Sequence, residues 1–207
     1  MELKGQLQQG LAELKLSLSE AQQQQCLDYL QLLEKWNQAY NLSAVRDLPT
    51  MLSRHLLDSL SVVPHFHIEN CADVGSGAGL PGIPLAIALP DREFTLIDSN
   101  GKKTRFLHQA VQSLRLENVT VEQCRVEEKS PPPIFAGLIS RAFSTINAML
   151  DNCSQLVAEG GWVYAMKGRH PADELKTIPS NFSLDRVEPL AVPGESGERH
   201  LVILRKK

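Results

Sequence analysis

Residues 72–82 constrain the fold more than any other stretch, because an apolar strand there leads into closely spaced glycines and then a helix (ADVGSGAGLPG). Glycine has no Cβ and tolerates positive φ, so the backbone can turn sharply beneath a ligand. The helix that follows directs unpaired backbone N–H groups towards the same turn. The stretch therefore predicts an α/β protein that binds a nucleotide-like ligand.

A second apolar strand ends in a carboxylate that could bind the same ligand as the glycine turn. Residues 94–98 (FTLID) end in Asp98, which lies 23 positions after Gly75. An acidic residue at the end of the second strand is placed to accept hydrogen bonds from ribose hydroxyls. We therefore expect Asp98 to bind the ribose of the ligand, and this pairing disfavours a glycine turn that binds nothing.

The spacing of the glycines separates two classes of cofactor. A dinucleotide fingerprint, G-x-G-x-x-G, would need a glycine at position 80, where this chain has Leu80. The pattern from Asp73 to Gly79 is instead D-x-G-x-G-x-G, which is typical of S-adenosylmethionine (SAM) methyltransferases. SAM carries an ammonium group that Asp73 can bind directly or through water. SAM is the predicted cofactor, and an NAD-dependent reductase is the weaker alternative.

From position 71 onwards, short β-type segments alternate with amphipathic helices, the pattern of a parallel sheet covered on both faces. Strands are predicted near 71–75, 94–98, 119–123, 136–141 and 162–166, and helices near 81–89, 101–115 and 144–158, with a glycine break at 160–161. Two late strands, near 184–192 and 199–204, are joined by a turn. The predicted fold is α/β and Rossmann-like, as in SAM methyltransferases, with a seven-stranded, mostly parallel sheet and an antiparallel C-terminal edge strand.

The first 64 residues are rich in Leu and Gln and predict a helical extension. Ser19 and Gln22 have the spacing of a capping box, and a further helix is expected over 51–63. An apolar stripe at helical intervals is expected to pack on the main domain: Tyr29, Leu33, Trp36 and Tyr40. We therefore divide the chain into a helical extension, 1–64, and a methyltransferase domain, 65–207.

Composition bounds the class of protein. The chain has 207 residues, 43% of them hydrophobic, which suits one domain-sized core. No apolar run approaches the roughly 20 residues of a membrane span, and the four cysteines lack metal-ligand spacing. We expect a cytoplasmic protein without a metal, and a monomer. The net charge of −3 argues against a general nucleic-acid binder and limits RNA contacts to local basic patches.

Further motifs match a single family. In chain order they are WNxxYNLS from Trp36, RHxxDSL from Arg54, the glycine loop, DSxxKK from Asp98, SRA from Ser140 and KG from Lys167. Over nearly its whole length the chain resembles the RsmG family, also called glucose-inhibited division protein B. The resemblance implies methyl transfer from SAM to N7 of one guanine in small-subunit (16S) ribosomal RNA, with the small ribosomal subunit as partner.

The resemblance also implies contacts to the cofactor. Gly75 and Leu80 would contact SAM, and the pair Val126 and Glu127 would lie near its adenine. Arg141 would also lie at the cofactor. With the rest of the glycine loop and the ribose carboxylate, the candidate cofactor-binding residues are Asp73, Gly75, Ser76, Gly77, Gly79, Leu80, Asp98, Val126, Glu127 and Arg141.

Methylation at guanine N7 shapes the catalytic prediction. N7 has a lone pair and no proton, so no strong base is required and positioning can supply most of the acceleration. Residues 140–143 read SRAF, where amine methyltransferases have Asn/Asp-Pro-Pro-Tyr/Phe. Arg141 is the one catalytic candidate, as a residue that orients the cofactor or guanine O6.

Four basic side chains are candidate RNA contacts: Lys102, Lys103, Lys167 and Arg199. The family often has arginine at the position of Lys103, and lysine cannot make a bidentate phosphate contact. Because such small patches bind naked RNA weakly, we expect folded subunits to be preferred over free RNA. Arg54 and Asp58 leave two readings open: an i,i+4 ion pair along a helix, or support for the substrate or the cofactor loop.

The fold does not fix the acceptor of the methyl group. A SAM methyltransferase for a small molecule or another RNA therefore stays an alternative. A non-catalytic ribosome assembly factor is the other. Turnover on small subunits separates the assembly factor from both enzymes.

Overall fold

A computed structural model describes residues 2–128 and 134–207. Within those residues seven strands form one sheet, and every strand expected from the sequence is present. The strands are β1 (Asn70–Val74), β2 (Glu93–Asp98), β3 (Val119–Gln123), β4 (Phe135–Ser140), β5 (Val157–Lys167), β6 (Phe182–Pro189) and β7 (His200–Lys206).

The order of strands across the sheet is β3-β2-β1-β4-β5-β7-β6. Neighbours from β3 to β5 are parallel, whereas β7 is antiparallel to both β5 and β6. The predicted mostly parallel sheet with an antiparallel C-terminal strand is confirmed, and that strand lies one place inside the edge because β6 pairs with its outer side. The direction of winding reverses between β1 and β4, so a crevice opens at their carboxyl ends.

Helices cover both faces of the sheet. They are α1 (Leu3–Glu13), α2 (Glu20–Tyr40), α3 (Leu48–Met51), α4 (Asp58–Leu60), α5 (Gly82–Ala88), α6 (Gly101–Leu114), α7 (Ile146–Cys153) and α8 (Ala172–Leu175). Successive side chains of a strand point to opposite faces: in β2, Leu96 joins one apolar cluster and Ile97 the other. Helices α2, α5 and α6 pack in the first cluster, and α7 packs in the second.

Helix α2 begins and packs largely as its sequence predicts. The side chain of Ser19 accepts from Gln22 N, and the side chain of Gln22 accepts from Ser19 N, which confirms the capping box. Tyr29 is fully buried, whereas Tyr40 at the far end of the stripe is 40% exposed. Tyr40 instead stacks on Trp36, with ring centroids 5.1 Å apart. The stripe therefore packs on the core from Tyr29 to Trp36, and its last member, Tyr40, lies outside the core.

The N-terminal helices share their core with the sheet. Leu7 and Leu30 belong to the same apolar cluster as Phe94 of β2. The buried hydroxyl of Tyr29 donates to the backbone oxygen of Ala78 at 2.7 Å, which ties α2 to the glycine turn. The extension thus packs on the sheet, and the division into 1–64 and 65–207 stays a prediction.

The helix predicted over 51–63 is present, but it is shifted towards the N-terminus and is not α-helical throughout. Helical structure begins at Leu48, because Asp47 caps it by accepting from Thr50 N at 2.9 Å. The middle of the helix, Leu52–Leu57, is π-helical, and α4 follows it directly. An apolar pattern does not distinguish π from α geometry, since such segments are short interruptions of an α-helix.

The glycines at 160 and 161 do not break the chain as predicted but lie inside β5. Pairing with β4 advances from Phe135↔Val157 to Gly137↔Trp162, so two steps along β4 face five along β5. Gly160 takes a φ of +70°, a bulge conformation that glycine permits. The helix predicted over 144–158 accordingly ends at Cys153.

The described residues contain neither a candidate membrane span nor a candidate metal site. No helix there is long and apolar enough to cross a membrane, and no group of three or more His, Cys, Asp or Glu side chains there could hold a metal ion. Cys26, Cys71 and Cys153 are free thiols, and all three are buried.

Candidate active site

The turn after β1 is shaped by backbone that only glycine adopts without strain. The φ angles of Gly75, Gly77 and Gly79 are +70°, +60° and +84°. Gly75 N donates to the backbone oxygen of Ile97 at 2.8 Å, which holds the turn against the end of β2. A Cβ at Gly75 would lie 2.7 Å from the Cβ of Ala142. The turn after β1 and the loop after β4 therefore meet at the crevice.

Asp98, at the end of β2, is held beside this turn. Its Oδ2 accepts from Gly77 N and its Oδ1 from Asn100 N, both at 2.9 Å. Lys103 Nζ lies 3.6 Å from Oδ2, and the Asp98 side chain is only 7% exposed. Each carboxylate oxygen has a second acceptor site. Asp98 is therefore fixed in place and can still accept hydrogen bonds from a ligand.

Asp73 lies beneath the turn and is fully buried. Its Oδ2 accepts from Gly82 N at 2.9 Å, at the start of α5, whereas Oδ1 has no hydrogen-bond partner among the described residues. The hydroxyl of Ser76 donates to the backbone oxygen of Asp73 at 2.7 Å. Burial raises the pKa of Asp73 to about 7, even though the Gly82 hydrogen bond lowers it. Asp73 thus anchors the turn to α5 and retains one unpaired polar atom.

A loop between α2 and α3 lines the crevice opposite the turn. The buried amide of Asn37 organises this loop by donating to Val45 O at 2.7 Å and accepting from Ser43 N at 2.8 Å. Ser43 Oγ lies 2.6 Å from His55 Nε2. Burial first, and the charge of Arg141 second, lower the pKa of His55 to about 4. His55 is therefore neutral at pH 7, and the loop residues that line the crevice beside it, 42–45, are uncharged and mostly apolar.

Asp58 joins two arginines from distant parts of the chain. This buried carboxylate accepts from Arg141 Nη1 at 3.0 Å and from Arg199 Nε at 3.1 Å; we call these three residues the Asp58 cluster. The i,i+4 pair of Arg54 with Asp58, one of the two readings of the sequence, is not formed, because Arg54 Nε lies 3.6 Å from Glu195 Oε2 instead. The π-helical turn between them changes the side-chain spacing of a regular α-helix.

Ser140 fixes the loop that carries Arg141. Its hydroxyl donates to Val74 O at 2.7 Å and accepts from Ala142 N at 3.1 Å, which ties the end of β4 to β1. Arg141 Nη1 also donates to the backbone oxygen of Arg54 at 3.2 Å. All the hydrogen bonds that Arg141 makes with described residues use Nη1. Its Nε and Nη2 therefore remain available as donors.

The Asp58 cluster stands between two cavities. One, of about 510 Å³, is lined by the glycine turn, the loop at 42–45 and His55. The other, of about 310 Å³, lies where β4, β5 and β7 meet. All three members of the cluster line both cavities. A larger hollow of about 880 Å³, lined by Asn70 and Glu93 at the amino ends of β1 and β2, contains no predicted site residue.

The predicted cofactor residues do not all line the first cavity. Those that do are Gly75, Ser76, Gly77, Leu80 and Arg141. Val126 and Glu127 lie in a short 3-10 helix, Val126–Glu128, that follows β3 on the same edge of the sheet. Val126 is buried and Glu127 is exposed. The structure thus extends the predicted site from the glycine turn along the carboxyl ends of β2 and β3.

The predicted RNA contacts fall into two pairs. Lys102 is exposed and lies with Lys103 at the start of α6, near Asp98. Lys167 and Arg199 line the second cavity. Lys167 Nζ lies 3.0 Å from Glu174 Oε1, and its side chain is only 12% exposed. In the first pair Lys102 is exposed and Lys103 is partly exposed beside Asp98. Both members of the second pair are held by carboxylates inside the site.

The site fits the predicted cofactor. The glycine turn lets backbone approach a ligand where a Cβ would clash, and Asp98 has acceptor sites left for ribose hydroxyls. Asp73 Oδ1, buried and unpaired within the described chain, suits an ammonium group. The model of one family, rRNA small subunit methyltransferase G, matches residues 22–202. The chain belongs to that family.

Curated relatives agree with this assignment over almost their whole length. The ribosomal RNA small subunit methyltransferase G of Marinobacter nauticus is 51% identical, over 98% of this chain and 94% of that protein. The protein of the same name from Ectopseudomonas mendocina is 55% identical, over 97% of this chain and 95% of its own length. The predicted family is confirmed, the protein is a SAM-dependent methyltransferase of this family, and the NAD-dependent reductase is excluded.

Solved structures show the same fold at low identity. A SAM-dependent methyltransferase from Aquifex aeolicus matches with a TM-score of 0.57 and 19% identity, over 77% of this chain and 94% of that one. The N-methyltransferase NodS from Bradyrhizobium japonicum, in complex with S-adenosyl-L-homocysteine, matches with a TM-score of 0.56 and 15% identity, over 86% of this chain and 98% of that one. The predicted fold is confirmed.

Proposed function

We propose that this protein transfers a methyl group from SAM to N7 of a guanine in 16S RNA of the small ribosomal subunit, and does so in the cytoplasm as a monomer. The observation that carries the proposal is the meeting of the glycine turn and Arg141 at one crevice, in a member of an rRNA methyltransferase family. The ligand-binding crevice of an open α/β sheet lies at this reversal point.

The half of the site around the glycine turn holds the cofactor. Bound SAM supplies a methyl group activated by its sulfonium. Asp98 accepts from the ribose hydroxyls, and Asp73 Oδ1 accepts from the ammonium group. The resemblance to the family assigns Val126 and Glu127 to the adenine. The backbone of the turn is the surface on which the cofactor lies: Gly75, Ser76, Gly77, Gly79 and Leu80.

Arg141 orients the acceptor base through a single donor. An arginine that makes a bidentate contact with guanine donates to O6 and N7 together, which would block the nitrogen to be methylated. Here Nη1 of Arg141 is occupied by Asp58 and by the backbone oxygen of Arg54. The remaining nitrogens can donate to O6 and leave N7 open. Since N7 carries no proton, this positioning needs no general base.

The RNA is held outside the chemical site by exposed cations. Lys102 faces solvent at the start of α6, and Lys103 is partly exposed, so both can contact phosphates. Lys167 and Arg199 act closer to the acceptor base, because they line the second cavity. With a net charge of −3, the protein recognises the folded subunit by shape as well as by charge.

Transfer of labelled methyl from SAM to undermethylated small subunits tests the function. After digestion to nucleosides, the label is expected in 7-methylguanosine, and protein-free 16S transcript is expected to react more slowly. A different methylated nucleoside would contradict the guanine N7 assignment. Tight binding to the subunit without transfer would favour the assembly factor. Equal rates on transcript and subunit would contradict recognition of the folded particle.

A further inference from the structure

We propose that the 310 Å³ cavity receives the acceptor guanine as a single base extruded from its stack, and that the ring of Phe143 is the surface on which it lies. This inference rests on the proposed function and adds to it the place and the residues that hold the substrate. None of Phe143, Leu190 and His200 was predicted to contact the base.

The position of the cavity is the first argument. It lies at the carboxyl ends of β4 and β5, where Lys167 of β5 pairs with His200 of the antiparallel strand β7. It contains no residue of the glycine turn, yet it shares the Asp58 cluster with the cavity that does. A molecule bound there is adjacent to the cofactor without competing for the cofactor's surface.

The apolar part of the lining suits the face of a base. Phe143, Met166 and Leu190 line the cavity, and Phe143 is only partly buried against the second apolar cluster. Bases that leave their stack are held on aromatic side chains in many RNA-binding proteins. Phe143 is the aromatic side chain of this lining, two residues after Arg141 in the loop that ends β4.

The polar part of the lining suits guanine. Arg141 has free donor nitrogens for the O6 acceptor. Nδ1 of His200 is buried and has no hydrogen-bond partner in the described part of the chain, and buried polar atoms are nearly always paired. An imidazole nitrogen can accept from the N2 amine of guanine or donate to O6. Adenine has the N6 amine where guanine has O6, and it lacks the N2 amine. Arg141 can only donate, so it selects guanine over adenine.

The size of the cavity limits what it holds. At about 310 Å³ it lies at the small end of the range for ligand pockets, which suits one base rather than a folded stretch of RNA. A base inside a helix cannot reach such a pocket, so the guanine must be unpaired or flipped out, as in other enzymes that modify bases.

Two variants of Phe143 separate stacking from apolar bulk. Phe143→Leu keeps an apolar side chain and removes the ring, whereas Phe143→Tyr keeps the ring. With subunits and SAM both saturating, the single-turnover rate of Phe143→Leu is expected to fall about 5- to 150-fold. Phe143→Tyr is expected to stay within about twofold of the wild type, since the ring is kept. SAM affinity, measured by titration, is expected to be unchanged in both.

A second variant keeps the inference testable if Phe143→Leu does not fold. His200→Ala removes the unpaired nitrogen, and its single-turnover rate is expected to fall about 2- to 12-fold with unchanged SAM affinity.

Three results would contradict the proposal that this cavity holds the acceptor base. A wild-type rate in Phe143→Leu, or in His200→Ala, would show that these side chains do not hold the base. A loss of SAM affinity in Phe143→Leu would assign the cavity to the cofactor. If the wild type forms no 7-methylguanosine, both this inference and the proposed function are wrong. If the wild type forms 7-methylguanosine and the variants transfer methyl at the wild-type rate, only the proposed base-binding pocket is wrong.

Discussion

The glycine turn and the Asp58 cluster lie side by side, but they are built in opposite ways. The turn is one continuous stretch whose geometry comes from backbone, with positive φ at Gly75, Gly77 and Gly79. The cluster gathers a carboxylate from α4, an arginine from the loop after β4 and an arginine just before β7. The first region is encoded by one short motif together with the carboxylate of Asp98 that pairs with it, whereas the second brings together residues that lie far apart in the sequence.

This difference predicts different sensitivities. The turn depends on the absence of side chains, so adding one methyl group is enough to disturb it. The cluster depends on a balance of charge, since the two arginines share one buried carboxylate. Removing one partner of a buried pair leaves an uncompensated charge, which costs more than the pair itself contributes.

The largest effect is expected from Asp58→Ala. The variant leaves Arg141 and Arg199 without their shared carboxylate, and the free energy of unfolding is expected to fall by about 3 kcal/mol. Urea denaturation measures this change. The matched control is Glu69→Gln, because the Glu69 side chain is exposed, its ion pair with Arg92 at 3.3 Å lies away from the cluster, and such a surface pair is worth less than about 1 kcal/mol. If the two variants lost the same free energy of unfolding, the claim that Asp58 holds the cluster together would be contradicted.

Gly75→Ala and Gly77→Ala sharpen the account of the turn. Both put a side chain at positive φ, which costs roughly 1–3 kcal/mol. The new Cβ at Gly75 clashes with the Cβ of Ala142 at 2.7 Å, whereas the new Cβ at Gly77 makes only ordinary contacts at 3.8–4.0 Å. SAM affinity by titration is expected to fall in both, and further in Gly75→Ala. Gly168→Ala is the control, because a Cβ there meets nothing within 4 Å. A weaker effect at Gly75 than at Gly77 would contradict the close approach of the two loops.

Asp73→Asn is expected to change how stability depends on pH. Burial raises the pKa of Asp73 from its ordinary value of 3.8 to about 7, so the folded state binds this proton more tightly than the unfolded state. The contribution of Asp73 is therefore fully present below about pH 4 and is lost as the pH rises through 7. The unfolding free energy of the variant, relative to the wild type, should increase between pH 4.5 and pH 8. If the unfolding free energies of the variant and the wild type change with pH in parallel, the raised pKa of Asp73 is contradicted.

The smallest effect is expected from Lys102→Ala. The side chain is exposed, so one lost phosphate contact should reduce the slope of log affinity against log salt by at most about 0.7–0.9. Binding to small subunits at several salt concentrations measures the slope. Lys167→Ala is the comparison, because Lys167 is held by Glu174 and should change methyl transfer more than the salt slope. If Lys167→Ala reduced the salt slope more than Lys102→Ala, Lys167 rather than Lys102 would be the phosphate contact.

The sequence predicted well what is encoded locally. The strands, the glycine turn and the carboxylate at Asp98 follow from short apolar segments and fixed spacings, and each was found at its place. The relation between Asp58 and its arginines was missed, because positions 58, 141 and 199 share no periodicity. The motif around Asn37 was recognised, yet its role in holding the 42–45 loop appears only in tertiary contacts.

Two further predictions were wrong because the composition of a segment did not determine its backbone geometry. The glycines at 160 and 161 have the composition of a break, but tertiary pairing with β4 and β7 absorbs them into β5 as a bulge. The π-helical turn at Leu52–Leu57 moves Arg54 out of reach of Asp58. The second cavity could not be predicted, since it depends on where β7 inserts beside β5.

Arg141 lines both cavities, so it tests most directly the claim that the Asp58 cluster joins a cofactor half to an acceptor half. The measurement is the single-turnover rate of methyl transfer to undermethylated subunits by Arg141→Ala, at saturating SAM. Loss of a charged hydrogen bond to the base predicts a rate about 10- to 150-fold below the wild type. A wild-type rate, with full SAM affinity by titration, would contradict the account.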